Sequence, residues 1–320
     1  MTLQKKKPLI NPAKKQNQPK PSPTVDRFKQ IPIPRKNFIL KARTFALELG
    51  HQTRIMGIVN VTPDSFSQDG QYKSGLNYKK AVAYAINMVK NGADILDIGG
   101  ESSRPGAKKI TIKEELKRII PIIEALYSKT KIPISVDTYK PIVAKEALKA
   151  GASLVNTIKG CDVPTQLIQH VRDYDAAIIL MHMKGTPLTM QKKISYSDVM
   201  VEIIKSLQKS KEKCLEKGIK SDKIVLDPGI GFGKSIQHNL SIINRLNMLT
   251  ILNCPLLIGT SRKSFIGNIL NKNTNERLIG TLATVSAATM RGAHIIRVHD
   301  VAAAKETVKM MDAILNESEI

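Results

Sequence analysis

Polar side chains stand at or just after almost every short apolar run in this 320-residue chain. They are Asn60, Asp97, Asp137, Asn156, His182, Asp227, Lys263, Arg297 and His299. A lone Asp or Asn in such a place commonly caps the next helix. Their occurrence on nearly every run has no such local explanation, because a buried polar group is costly unless it is paired. The pattern therefore predicts a functional site.

These polar residues fall into two chemical sets. Acceptor groups make up the first set, which comprises Asp137, Asn156 and Asp227. An ionised carboxylate only accepts hydrogen bonds, so this set suits a nitrogen heterocycle that displays N–H and NH₂ donors. The second set suits a phosphate or pyrophosphate and comprises Asn60, Lys263, Arg297 and His299. The sequence thus predicts an enzyme that binds a heterocycle and an anion side by side.

The apolar runs are short, rich in Ile, Val and Leu, and apolar on consecutive positions, which is typical of strands covered on both faces. They span residues 55–61, 95–98, 132–136, 153–156, 177–181, 224–226, 255–258 and 295–298. Helical patterns separate them, so the alternation predicts an α/β protein with a (β/α)₈ TIM barrel, in which the strand ends converge on one rim. Residues 38–40 and 45–49 predict an N-terminal β-hairpin. A doubly wound open sheet is the rival, but no GxGxxG motif follows the first run.

Two helix starts are also marked in the sequence. Ser197 is predicted to cap a long helix over residues 198–217, which Gly218 ends. Ser264 is predicted to open a helix after the seventh run. Barrels often bind phosphate near a helix N-terminus at that place, which supports an anion site there.

The formal net charge of +23 points first to an anionic partner such as nucleic acid. The distribution of this charge argues against a nucleic-acid partner. Residues 1–36 hold ten Lys or Arg and one Asp, and the remaining positive excess is spread along the chain. Aromatic residues, on which bases would stack, are only 4%. Seven of the 16 prolines also lie in residues 1–36. We predict a disordered basic tail over 1–36 and one catalytic domain over 37–320.

The sequence also bears on the cellular compartment. No apolar run is long enough to span a membrane, and the N-terminus has no apolar signal core. Cys161, Cys214 and Cys254 are far apart and lack metal-ligand spacing, so buried thiols are predicted instead of disulfides. These features predict a cytoplasmic protein with no membrane partner.

Several motifs closely resemble those of the dihydropteroate synthases, a family of pterin-binding barrels. Residues 56–67 (MGIVNVTPDSFS) resemble the family's first signature, and residues 99–107 (GGESSRPGA) resemble its second. Later motifs follow in the family's order: SVDT at 135–138, LMHM at 180–183, DPGIGFGK at 227–234, SRKS at 261–264 and RVHDV at 297–301. The resemblance covers residues 37–316, which is nearly all of the predicted folded part.

The resemblance implies a transferase of folate biosynthesis. Such an enzyme condenses 6-hydroxymethyl-7,8-dihydropterin pyrophosphate with para-aminobenzoate, giving 7,8-dihydropteroate and pyrophosphate. The resemblance also implies Mg²⁺ on the pyrophosphate, a homodimer, and a target of sulfonamides.

The same resemblance implies roles for individual residues. The pterin contacts would be Asp137, Asn156, Met181, Asp227 and Lys263. The pyrophosphate contacts would be Asn60, Arg297 and His299, with Asn60 also on the metal ion. The aminobenzoate pocket would comprise Phe66, Ser103, Arg104, Pro105, Phe232 and Ser264. The catalytic residues would be Asp137, Asp227, Lys263 and Arg297.

Three positions depart from the family pattern. Thr157 stands where many members have Asp, Ser103 replaces the more usual Thr, and Gln68 is an extra residue in the first loop. Three alternatives stay open: a pterin-binding methyltransferase that acts on methyltetrahydrofolate, an inactive paralogue, and a basic nucleic-acid-binding protein. The methyltransferase should lack the SRKS and RVH segments, both of which this chain has.

Overall fold

The computed structural model describes residues 35–62, 78–102, 106–160, 162–191 and 194–318. A hairpin of β1 (Phe38–Ala42) and β2 (Phe45–Leu49) comes first. The strands that follow are β3 (Arg54–Asn60), β4 (Ile95–Gly99), β5 (Ile134–Asp137), β6 (Leu154–Thr157), β7 (Ala177–Met181), β8 (Ile224–Asp227), β9 (Leu257–Ile258) and β10 (Ile295–Val298). The helices are α1 (Tyr78–Lys90), α2 (Ile112–Tyr127), α3 (Pro141–Lys149), α4 (Thr165–Asp173), α5 (Val199–Glu216), α6 (Ile236–Asn244), α7 (Ser264–Leu270), α8 (Leu278–Met290) and α9 (Val301–Asn316).

Within the described ranges, the strands from β3 to β10 form one eight-stranded sheet in the order β8-β7-β6-β5-β4-β3-β10-β9. Every pairing in this sheet is parallel. A parallel bridge between Leu226 and Leu256 joins the two ends, supported by a hydrogen bond of 3.0 Å from the Leu226 N–H to the Pro255 carbonyl oxygen. The predicted (β/α)₈ TIM barrel and its N-terminal hairpin are confirmed.

The strands alternate between two surroundings, as the two-residue period of a strand requires. Along β3, Ile55 and Val59 belong to the large core between the sheet and the helices, whereas Met56 belongs to a separate core inside the barrel. Leu40 and Leu49 of the hairpin join that interior core, so the hairpin covers the amino-terminal end of the barrel. At the opposite, carboxyl-terminal end of the barrel the interior positions are polar, and the candidate site lies there.

Two residues just before the hairpin are anchored to the barrel. Arg35 donates hydrogen bonds to Thr53 and to Asp312, which is 2% exposed, and a further one of 3.1 Å to the carbonyl oxygen of Ala293. The carbonyl oxygen of Lys36 lies 3.0 Å from His294 Nε2. The rest of the predicted tail, residues 1–34, lies outside the described residues, so its disorder stays a prediction.

The start of the long helix α5 differs from the prediction. Asp198, not Ser197, caps it, because the Asp198 carboxylate accepts hydrogen bonds of 2.8 and 3.1 Å from the N–H groups of Met200 and Val201. Ser197 lies one residue earlier and donates its own N–H to Glu202 at 2.8 Å. Gly218, with φ +88°, follows the helix as predicted.

Two further predictions can be compared with the described part of the chain. Cys214 and Cys254 are buried free thiols, as predicted, and Cys161 lies outside the described residues. No described helix combines the length and the apolar character that crossing a membrane requires.

Candidate active site

A pocket opens at the carboxyl-terminal end of the barrel, where the interior positions are polar. It is lined by Asp137, Asn156, Ile158, Met181, Asp227, Ile230, Phe232, Gly259, Lys263 and Arg297. The structure thus brings together all five residues predicted to contact a heterocycle, with Arg297 and Phe232 beside them.

Hydrogen bonds across the barrel fix the floor of this pocket. The Arg297 guanidinium donates to Asp97 at 2.6 Å through Nε and to Asp137 at 2.8 Å through Nη2. The Asn156 amide nitrogen donates to the same Asp97 oxygen at 2.9 Å. Asp97 was not assigned a role from the sequence, although it is a charged residue within an apolar run, on the same side of its strand as Gly99. Thr157, the departure from the family pattern, accepts a 3.3 Å hydrogen bond from the Lys159 N–H.

Burial shifts the protonation of the pocket carboxyl groups. It raises the pKa of Asp137 to about 7, and the charges of Asp97 and Glu115 add to the rise, while Arg297 and Lys263 oppose it. Burial also raises the pKa of Asp227, against a 2.7 Å hydrogen bond from the Gly229 N–H and the nearby cations. Asp137 therefore changes its charge near neutral pH.

The glycine-rich segment after β8 packs tightly against the segment after β7. Gly229 has φ +70°, and a Cβ there would lie 1.9 Å from the carbonyl oxygen of His182. Gly233 has φ +66°, and its Cβ would lie 2.4 Å from the carbonyl oxygen of Lys184. Only glycine suits both positions, and the tight turn presents Phe232 to the pocket, with Lys263 Nζ 4.2 Å from its ring centroid.

Lys234 contacts both the segment after β7 and the glycine-rich segment after β8. It is 3% exposed, and its Nζ lies 3.0 Å from His182 Nδ1 and 3.0 Å from the Phe232 carbonyl oxygen. Burial lowers the pKa of Lys234 to about 7 and that of His182 to about 3. His182, noted in the sequence as a strand-end residue, thus supports the glycine-rich segment and does not line the pocket.

The residues of the predicted anion site lie along the rim next to the pocket. His299 Nδ1 lies 2.9 Å from the Ser261 hydroxyl, and His299 Nε2 lies 3.5 Å from the Asn60 amide nitrogen. Arg262 pairs with Asp300, with 2.9 Å between its Nε and the carboxylate. This pair joins the segments after β9 and β10, which carry Lys263 and His299.

A cluster of charged residues that sequence reasoning missed holds the segment after β4. Lys140 Nζ lies 2.6 Å from Glu101 and 2.6 Å from Glu115. Tyr139 donates to Glu101 at 2.9 Å, and Thr138 donates to Glu115 at 2.8 Å. Glu101 precedes the segment predicted to enter the aminobenzoate pocket, so this cluster fixes the described root of that segment.

Several predicted aminobenzoate contacts fall where nothing is described. Phe66, Ser103, Arg104 and Pro105 lie outside the described residues. Ser264 is exposed at the first residue of α7, and Phe232 is in the pocket wall. The placement of this second substrate therefore stays a prediction.

Comparison with known proteins decides the family. A model of the pterin binding enzymes matches residues 56–299. Dihydropteroate synthase of Escherichia coli K12 is 44% identical over 88% of this chain and 98% of its own length, and that of Bacillus subtilis is 42% identical over 87% and 94%. The chain belongs to the dihydropteroate synthase family. It is accordingly a transferase of folate biosynthesis, and the relatives support this assignment over the methyltransferase alternative.

Solved structures of dihydropteroate synthases share the whole barrel. The enzyme of Yersinia pestis, solved with a sulfonamide drug, has a TM-score of 0.81 at 40% identity and covers 87% of this chain and 100% of its own. The enzyme of Xanthomonas albilineans, solved with 4-aminobenzoic acid, has a TM-score of 0.80 at 37% identity and covers 87% and 98%. The barrel fold read from the sequence is therefore the fold of the family.

Proposed function

We propose that this chain joins the methylene carbon of 6-hydroxymethyl-7,8-dihydropterin pyrophosphate to the amine of para-aminobenzoate, releasing pyrophosphate. The observation that carries the proposal is one pocket in which three acceptor side chains stand beside two cations. The acceptors are Asp137, Asn156 and Asp227, and the cations are Lys263 and Arg297.

The heterocycle end of the substrate suits the inner part of the pocket. Asp137 and Asp227 offer carboxylate oxygens, which accept the N–H and NH₂ hydrogens of a pterin edge. Met181 lies in the pocket wall and packs in a small apolar cluster with Ile158 and Phe232. This cluster provides an apolar surface for the flat face of the ring, and Lys263 offers a donor for its carbonyl oxygen.

The pyrophosphate suits the rim, where we propose Asn60, Arg297 and His299 as its contacts. Mg²⁺ commonly binds through one or two protein oxygens together with substrate phosphates. Within the described ranges no three His, Cys, Asp or Glu side chains are grouped to hold a metal ion, and this fits an ion held mainly by the substrate. The Asn60 amide nitrogen lies 3.5 Å from His299 Nε2, and the Asn60 carbonyl oxygen would be the protein ligand of the ion. When bound, Mg²⁺ would neutralise charge on the leaving group.

The carbon–oxygen bond to pyrophosphate breaks as the carbon–nitrogen bond forms. Positive charge that develops on the pterin methylene is stabilised by the ionised carboxylates of Asp137 and Asp227, while Arg297 and His299 balance the leaving charge. An aniline nitrogen is nucleophilic without prior deprotonation, so its proton leaves afterward and no strong general base is required. The chain's main contributions are orientation and electrostatics.

We extend the proposal to the second substrate and to the whole protein. Phe66, Ser103, Arg104, Pro105, Phe232 and Ser264 are the proposed aminobenzoate contacts. The 4-aminobenzoic acid in the Xanthomonas albilineans structure supports a site for that ligand on this fold. A homodimer, a cytoplasmic location and the disorder of residues 1–34 stay predictions, and sedimentation velocity of the full chain tests the first.

Asp227→Asn tests the pterin assignment. The amide nitrogen would present a donor where the pterin edge also presents donors, so we expect kcat/KM to fall by about 10²–10³-fold. Asp173→Asn is the matched control, because Asp173 is half-exposed and pairs with its neighbour Arg172 on the outer surface. Pyrophosphate release is measured for both variants. Unchanged turnover in Asp227→Asn would refute the assignment.

A further inference from the structure

One buried carboxylate under the pocket has no role in the proposal so far. Asp97 is 0% exposed and does not line the pocket, yet it contacts two side chains that do. Its Oδ2 atom accepts from Arg297 Nε at 2.6 Å and from Asn156 Nδ2 at 2.9 Å. Its Oδ1 atom has no hydrogen-bond partner in the described part of the chain. Burial of a half-satisfied carboxylate is costly, which indicates that this arrangement is kept for a reason other than stability.

The chemistry of a carboxylate fixes both partners. An ionised Asp97 accepts hydrogen bonds and donates none, so the Asn156 amide must turn its nitrogen toward the floor. The amide oxygen then lies on the other side of the same rigid plane. Arg297 is planar as well, and its contact through Nε sets the plane that lets Nη2 reach Asp137 at 2.8 Å. Both pocket residues therefore take their orientation from one carboxylate.

We infer that Asp97 is a positioning residue that sets, from beneath the pocket, which end of Asn156 and which face of Arg297 the pterin pyrophosphate meets. The inference rests on the proposed function only for the identity of the ligand. Asp97 touches neither substrate, so it acts through the two side chains that it holds.

The charge of Asp97 also reaches the neighbouring carboxyl group. Asp137 is surrounded by Arg297 and Lys263, which favour its ionised form, and by Asp97 and Glu115, which oppose it. Removing the negative charge of Asp97 should therefore lower the pKa of Asp137. Because ionised Asp137 is the form that accepts pterin N–H groups, the acidic limb of kcat/KM should move to lower pH. A merely structural role would not move this limb.

The test compares Asp97→Asn with Ser135→Ala. Ser135 pairs with Asp97 across β4 and β5, is fully buried, and its hydroxyl has no partner among the described residues. We expect Asp97→Asn to lower kcat/KM by about 10²-fold, as a small misplacement of reacting groups does. Its acidic limb should move to lower pH, whereas Ser135→Ala should resemble the wild type in both respects. Circular dichroism establishes whether each variant folds. If Asp97→Asn does not fold, Asp97→Ser takes its place in the test.

Binding keeps this test separate from that of the proposed function. Calorimetry measures binding of 6-hydroxymethyl-7,8-dihydropterin pyrophosphate with Mg²⁺ and without para-aminobenzoate. Wild-type binding without turnover would count against the proposed function, and weaker binding to Asp97→Asn would still support the inference. Wild-type kinetics and an unmoved pH profile in Asp97→Asn would overturn it, as would an equal defect in Ser135→Ala.

Discussion

Arg297→Met removes the cation that joins the carboxylates of Asp97 and Asp137, and its effect on stability can be worked out from the structure. Arg297 lies 2.6 Å from Asp97 and 2.8 Å from Asp137, and the two carboxyl side chains are 0% and 14% exposed. Removing one partner of a buried ion pair costs about 3–5 kcal/mol, because the other charge stays buried without compensation. We expect a loss of this size in the free energy of unfolding from Asp97 alone.

Asp137 should add a pH-dependent part to that loss. The pKa of Asp137 is raised to about 7, so below that pH it is protonated with or without Arg297. Above pH 7, Asp137 is ionised beside Arg297 in the wild type. In the variant this cation is gone, so the pKa of Asp137 rises further. The folded variant then binds more protons than its unfolded chain, so its stability falls as the pH rises. The difference between the two proteins should widen by up to ~1.4 kcal/mol per pH unit above pH 7.

Urea unfolding of the wild type and the variant between pH 5.5 and pH 8.5, in roughly half-unit steps, measures this difference. Arg172→Met is the matched control, because it removes the same charge from a pair whose side chains are 47% and 53% exposed. An exposed pair of this kind contributes roughly 0–1 kcal/mol. A pH-independent difference for Arg297→Met, or one no larger than that of the control, would refute the reasoning.

Three further changes test the surroundings of the pocket. Lys140→Met leaves the buried Glu115 and the partly buried Glu101 without their shared cation, so thermal unfolding should show a loss of about 3–5 kcal/mol; a loss below roughly 1 kcal/mol would contradict the cluster. Gly229→Ala places a Cβ 1.9 Å from the His182 carbonyl oxygen in left-handed backbone, and we expect at least about 1–3 kcal/mol of destabilisation together with loss of pterin binding. Burial lowers the pKa of Lys234 from 10.5 to about 7 in the folded protein. Between these two pH values the unfolded chain therefore binds more protons than the folded chain, so Lys234 makes the free energy of unfolding rise with pH over that window. Lys234→Met should remove that rise in denaturant titrations, and an unchanged pH slope would show that Lys234 does not titrate there.

Much of the barrel could be predicted because its strands are buried on both faces. Runs of Ile, Val and Leu identified all eight positions, and β7 and β10 begin and end at the predicted residues. β9 is shorter than its apolar run and begins at Leu257. Pro255 has no N–H to donate, and the N–H of Leu256 donates to His294 Nδ1 at 3.1 Å, so the early part of that run joins the sheet through its carbonyl oxygens and the bridge at Leu256.

The sequence also predicted that the polar side chains of the site lie close together, because the strand ends of a barrel meet on one rim. Asp137, Asn156 and Asp227 meet there as expected. The role of Asp97 was not predictable, because it depends on a contact with Arg297, 200 residues away, and on the side of the strand that each faces. Lys140 was missed for the same reason, since its partners come from two other segments.

Turnover by the purified full chain tests the central claim most directly. The protein is supplied with 6-hydroxymethyl-7,8-dihydropterin pyrophosphate, para-aminobenzoate and Mg²⁺, and both pyrophosphate and the pterin product are measured. We expect pyrophosphate release that requires para-aminobenzoate, with 7,8-dihydropteroate formed in equal amount. Binding of the pterin substrate with no dihydropteroate formed would contradict the account.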